Sequence, residues 1–315
     1  MTTLTRAALG TLVALLLAAA PLVPAAADDP APPADPDPIR GLVLPPLDSF
    51  IGLLPPLPVP GAEYAGDLCR SGGDECIDEV IARMETRLDG LVATCSHSAI
   101  FSLAYLRVTE NVRDAVRSGY FDDEQWLNRV DTVFAELYFD TTSRWESGRR
   151  TNIPGAWRIA LQAEDDRAVS GLGNFMLAMN AHINRDFPYV IANVGLTAPD
   201  GTSHKADHDR YNQRLDSLYG PVFAEEARRF DPKFDDIDAG TIEETVAGVI
   251  MRGWREMVWR HAEQLALARN PVQRAFAQRQ VETYAALQAL MIRQLFQTPD
   301  STERDAWCAE HGADS

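Results

Sequence analysis

The sequence predicts an all-α fold: a multi-helix bundle of roughly eight helices, disulfide-stapled, with a proline-rich N-terminal extension. Two observations carry that expectation. From Asp74 onward apolar residues recur at three- and four-residue intervals almost without interruption, and no convincing two-residue alternation appears anywhere. Helix start signals, moreover, stand where several of those stripes begin.

In chain order, Ile77, Ile81, Met84 and Leu88 mark a first helix, ended by Gly90 or continued past it. Phe101, Ala104 and Val108 mark a second. Asp122 or Asp123 supplies an N-cap for a long stripe of Trp126, Val130, Phe134 and Leu137. Pro154 opens a shorter helix carrying Trp157 and Leu161. The stretch Gly171 to Gly195, GLGNFMLAMNAHINRDFPYVIANVG, forms a central helix that kinks or restarts at Pro188, with Asp186 close to the break. Thr197 to Ser203 is turn chemistry, and Ser203 can cap the helix after it. Thr241 and Glu244 form a capping box for a helix running to Ala268. Asn270 and Pro271 start a last long helix reaching about Gln297, so these two pack as an antiparallel hairpin.

Upstream of the bundle, residues 1–27 read as a secretory signal peptide: one basic residue, an apolar run, and small residues at Ala25 and Ala27. Residues 28–68 form a proline-rich linker whose later leucines lie along the domain surface, and 69–315 form the all-α domain. A secreted, extracellular protein is expected, with no transmembrane helix after signal removal, since no later segment stays uncharged long enough to span a bilayer. Cys69, Cys76, Cys95 and Cys308 suit an oxidising compartment, and the preferred pairing is Cys69 with Cys76 and Cys95 with Cys308. The formal charge of -17 repels phosphate backbones and disfavours broad nucleic-acid binding. It leaves oligomeric state open.

Candidate chemistry sits on polar residues that interrupt apolar stripes. On the central helix Phe175 and Met179 are followed on the same face by His182 and Asp186. A second group, HKADHDRYN, places His204 and His208 one turn apart beside Asp207 and Asp209. His261 completes a third stripe with Met251, Trp254, Val258 and Leu265. If these stripes share a core, His182, Asp186, His204 and His208 can hold zinc or another divalent metal, with Asp207 or Asp209 orienting a metal-activated water. That set suggests a metal-assisted hydrolase of ester or phosphoester bonds acting on a small-molecule or lipid-like substrate. The alternative is a non-catalytic extracellular or envelope binding protein whose His/Asn cluster is a structural hydrogen-bond network. Trp254 and Trp259 with Arg252, Arg255 and Arg260 read as helix packing with a charged rim, in preference to an anion clamp.

Through MNAHINRDFP, with VDTVFAELYFDTTSRW upstream and DHDRYN downstream, the chain resembles an uncharacterised family of largely secreted bacterial helical proteins, over roughly Trp126 to Leu265. The resemblance implies a helical fold and no assigned activity. It points to Asn180, His182, Asn184, Asp186, Asp207 and Asn212, and does not extend to His208. A looser likeness, carried by the HxxxD element His182 to Asp186, is to zinc-dependent phospholipase C. The few histidines and proline-rich start depart from that pattern and disfavour a trinuclear zinc centre.

Overall fold

A computed structural model describes residues 54–234, 242–298 and 300–312. The expected signal peptide, the linker as far as residue 53, Thr241 and the Glu244 side chain lie outside the described residues. Within them the fold is all-α. Two isolated bridges, Val169 with Gln297 and Thr197 with Ser203, are the only β pairing among the described residues.

The first helix, α1 (Glu75–Val92), continues through Gly90 and packs along α2 (Ser98–Arg117). Asp123 rather than Asp122 caps α3 (Glu124–Glu146), accepting from the Trp126 amide at 2.8 Å. Pro154, free of an amide to satisfy, precedes α4 (Gly155–Asp165). Ser170 caps α5 (Gly171–Asn180) through the Gly173 amide. A π-helical turn (Ala181–Asp186) then joins α5 to α6 (Phe187–Val194). Short helices α7 (Lys205–Arg210) and α8 (Asn212–Asp216) lead into α9 (Tyr219–Arg229) and a 3-10 turn (Pro232–Phe234). The long pair α10 (Ile242–Leu267) and α11 (Pro271–Leu295) comes next, with the Asn270 side chain accepting from the Gln273 amide at 2.9 Å to start α11. The chain closes with α12 (Thr302–His311).

The rod made by α5, the π turn and α6 is the axis of the molecule, packed against α2 to α4 on one side and α10 and α11 on the other. Its sequence explains that position: Leu177, Ala178 and Ala181 on one part and Val190, Ile191 and Val194 on another are buried, so the rod is apolar nearly all round. Close approach at its start depends on Gly173, where a Cβ would lie 2.7 Å from Phe296 Cβ and 2.8 Å from Val169 Cβ. Two disulfides staple the described part of the chain. Cys95 pairs with Cys308, joining α12 to the end of α1, and Cys69 pairs with Cys76 just ahead of α1. The described part of the proline-rich segment lies over α10, where the Leu57 amide donates to Glu263 Oε1 at 2.7 Å and Arg260 donates to the Pro55 carbonyl at 3.1 Å.

Candidate functional site

Pro188 shapes the centre of the rod. It has no amide hydrogen and its ring crowds the carbonyl four residues back, so a regular α-turn through Asn184 is disfavoured. The break expected near Asp186 takes the form of a wide turn, Ala181–Asp186, with helical backbone angles on either side. Such turns re-aim side chains and recur at functional sites. This one carries His182 and Asp186.

His182 is buried and lies flat on Phe134, ring centroids 3.5 Å apart and 2° from parallel, with Tyr105 approaching edge-on at 4.6 Å. Its Nδ1 is 3.2 Å from Asp186 Oδ2. Asp186 is fully buried and does not cap α6. Oδ2 also accepts from Trp157 Nε1 at 2.7 Å, while Oδ1 accepts from Arg185 at 2.8 Å. That network assigns the His182 proton to Nδ1 and leaves Nε2 a bare acceptor. Burial holds the imidazole below its ordinary pKa, and Nε2 has no hydrogen-bond partner among the described residues.

His208 repeats the arrangement from α7. Burial and the nearby Arg255 guanidinium push its pKa down to about 3, Nδ1 lies 3.1 Å from Asp209 Oδ1, and Nε2 has no partner among the described residues. Burial works against the charge on Asp209, yet His208 and Lys205 outweigh it and hold the carboxyl at about 2. Lys205 Nζ bonds Asp209 at 2.7 Å and Glu256 at 2.8 Å.

Both imidazoles line one interior cavity of about 130 Å3. Most of its wall is apolar, with Phe101, Val108, Val112, Val130, Leu215, Val222 and Met251 among the contributors. Its polar contributors include Tyr105, Asp131, Tyr219 and Arg255. Five buried atoms on these lining residues have no protein hydrogen-bond partner among the described residues: Tyr105 Oη, Asp131 Oδ2, His182 Nε2, His208 Nε2 and Tyr219 Oη. Each such atom costs roughly 1 to 3 kcal/mol when it is left unbonded. Burial alone pushes the Asp131 carboxyl up to about 7.

The other expected site residues fall elsewhere or are otherwise engaged. Asp207 lines the cavity, but its carboxylate accepts the Asp122 and Asp123 amides at 2.8 to 3.1 Å and so fixes the turn into α3. His204 precedes α7, stacked on Trp126 at 4.6 Å and 3.7 Å from Asp123, and does not line the cavity. His261 lies edge-on to Tyr284, where burial lowers its pKa to about 4. Asn184 donates to Asn180 Oδ1 and Asn180 to the Ala285 carbonyl, each at 2.9 Å, pinning the rod to α11. Asn212 Oδ1 accepts from Arg255 Nε at 2.6 Å.

The four expected metal ligands therefore do not form one set: His182 and His208 share the cavity, His204 does not, and both Asp186 oxygens are bonded to protein donors. Among the described residues no three His, Cys, Asp or Glu are placed to hold a metal ion. Arg255 is also no part of a charged rim. It is buried and lines the cavity, bonded to the His208 carbonyl of α7 and to Asn212 of α8.

Asp131, Tyr105 and Tyr219 were not among the sequence candidates. Asp131 had a legible signal, since Leu127, Asp131, Phe134 and Tyr138 form a helical stripe with one carboxylate in it. The two tyrosines carry no such mark, because a tyrosine in an apolar stripe is ordinary core composition.

Fold and site together define a disulfide-stapled all-α protein built round a mainly apolar cavity that is edged by buried titratable groups. The chain belongs to the Family of unknown function (DUF5995), whose model matches residues 77–295. That span runs from α1 to the end of α11 and contains every residue lining the cavity. No curated protein and no solved structure matches the chain.

Proposed function

We propose that this protein is a binding protein for a small, mainly apolar molecule, held in the interior cavity and read at its polar end by the side chains around His182 and His208. One observation carries the reading: five polar atoms without a protein partner among the described residues belong to side chains lining a single cavity of about 130 Å3. A core that served packing alone would replace such groups with apolar ones, because each buried, unbonded atom is destabilising. Apolar cavities of this volume take up benzene-sized molecules. The bare Nε2 acceptors and the tyrosine hydroxyls would supply orientation. The Asn180 to Asn184 bridge serves architecture in this reading. The two disulfides and the leader expected from the sequence support a place of action outside the reducing cytoplasm.

The test is direct. Benzyl alcohol and 1-hexanol, titrated into the full chain with its disulfides intact, should shift the methyl NMR signals of Val108, Val112, Val130 and Val222 and saturate at one equivalent. Val222→Phe, which fills the cavity from a buried position, should abolish those shifts while leaving the helical circular dichroism intact. Absence of saturable shifts with both alcohols and with the matching acids, benzoate and hexanoate, would end the binding reading.

A second reading, metal-assisted hydrolysis of an ester or phosphoester, is favoured by one feature: two histidines with unbonded Nε2 atoms line the same cavity. Imidazole nitrogen is a donor that zinc accepts, but catalytic zinc centres take three protein ligands. Metal analysis of the purified protein separates the two readings. A stoichiometric divalent ion lost on His182→Ala supports hydrolysis, and its absence removes that reading.

A further inference from the structure

Arg255 is unusual among the charged groups of the core. It is 7 % exposed on α10, lines the cavity, and makes its hydrogen bonds to neutral oxygens only, Nε to Asn212 Oδ1 and Nη2 to the His208 carbonyl. No carboxylate comes within 4.0 Å of it among the described residues. Asp209 acts on it from farther off and is already bonded to Lys205 and His208, and Asp131 is not among the groups that act on it. The guanidinium lies over the rings of Phe187 and Tyr211, 5.7 and 5.8 Å from their centroids. Buried guanidinium groups are ordinarily matched by a carboxylate, and they recognise one through charge-assisted, often paired, hydrogen bonds.

We infer that the ligand of the cavity is a small carboxylate with an apolar body, its anionic end held by Arg255 and its body set among Val108, Val112, Leu215, Val222 and Met251. The inference rests on the proposed binding function and names the class of ligand within it. Tyr219, whose buried hydroxyl has no partner, also lines the cavity and supplies a neutral donor for the same carboxylate. The cavity volume limits the body to the size of one aromatic ring or a short alkyl chain.

Matched pairs test it: benzoate against benzyl alcohol, and hexanoate against 1-hexanol, titrated by calorimetry and methyl NMR into the full chain and into Arg255→Met and Arg255→Lys. The expected result is that at least one acid binds tenfold or more tighter than its alcohol. Arg255→Met should weaken the acid at least tenfold more than its alcohol and so erase that preference. Arg255→Lys should retain part of the preference. Were Arg255 only a structural tie between α10 and the α7 to α8 corner, its replacement would weaken acid and alcohol alike. Should Arg255→Met fail to fold, the acid-to-alcohol ratio in the unaltered chain still decides. Alcohols binding as well as their acids would overturn the inference and leave the binding reading standing, whereas no binding by any of the four probes would overturn both.

Discussion

Asp131→Asn offers a test of the cavity that needs no ligand. The carboxyl is buried, one oxygen has no partner, and burial alone raises its pKa from 3.8 to about 7. A folded-state pKa above the unfolded value means that the folded chain favours the protonated acid. The stability this gives is complete below pH 3.8 and is lost as pH rises toward 7. At about 1.36 kcal/mol for each pH unit between the two titrations, the full penalty above pH 7 is roughly 4 kcal/mol. Asparagine resembles the protonated acid in shape and charge and escapes that penalty. The variant should therefore differ little from the parent at pH 4, gain about 1 to 2 kcal/mol at pH 5, and gain roughly 4 kcal/mol at pH 8. Urea unfolding at those three pH values, disulfides intact, measures it. The buried histidines titrate in both proteins and cancel in the difference. A gain independent of pH, or a loss of stability at pH 8, would refute the argument that Asp131 is an unpaired buried carboxyl. A side chain that lowers stability at the wall of a cavity is of the kind retained for function.

Two further predictions concern what holds the site and the ends of the chain. Asp186→Ala removes the acceptor shared by Trp157, His182 and Arg185, and should cost about 3 to 5 kcal/mol in urea unfolding, since it strands buried donors; a cost under about 1 kcal/mol would show that the triad does not brace the π turn. Replacing Cys95 and Cys308 by serine opens a loop of 213 residues and should cost about 5 kcal/mol, against about 2 kcal/mol for Cys69 and Cys76 with a separation of 7, on chain-entropy grounds. The reverse order in thermal unfolding of the two double variants would mean that α12 contributes little beyond its covalent tie.

Several elements were legible in the residues alone. Asp123, Pro154, Asn270 and Pro271 open helices because local side-chain and backbone chemistry is enough to do so, and the pairing of four cysteines agreed with the simplest staple of the two chain ends. The stripe Phe175, Met179, His182 located the central wall of the cavity, because residues three and four apart share a helix face whatever the helix packs against. Grouping across helices was not legible. His204 and His208 are one turn apart by count, yet α7 starts only after His204, so one ring stacks on Trp126 and the other enters the core.

The sequence by itself determined that this chain is helical and where α3, α4 and α11 start, favoured the cysteine pairing that is found, and placed buried polar groups in the segment around His182. These depend on period, capping and covalent geometry, which act over a few residues or a single bond. Only the tertiary structure decided that Asp131, Arg255 and three tyrosines share a cavity with His182 and His208, and that Asp186 and Asp207 spend their oxygens on the protein itself. The physical reason is that burial and pairing are properties of what lies across from a side chain. In a bundle that neighbour comes from a helix scores of residues away, through packing that no local pattern encodes.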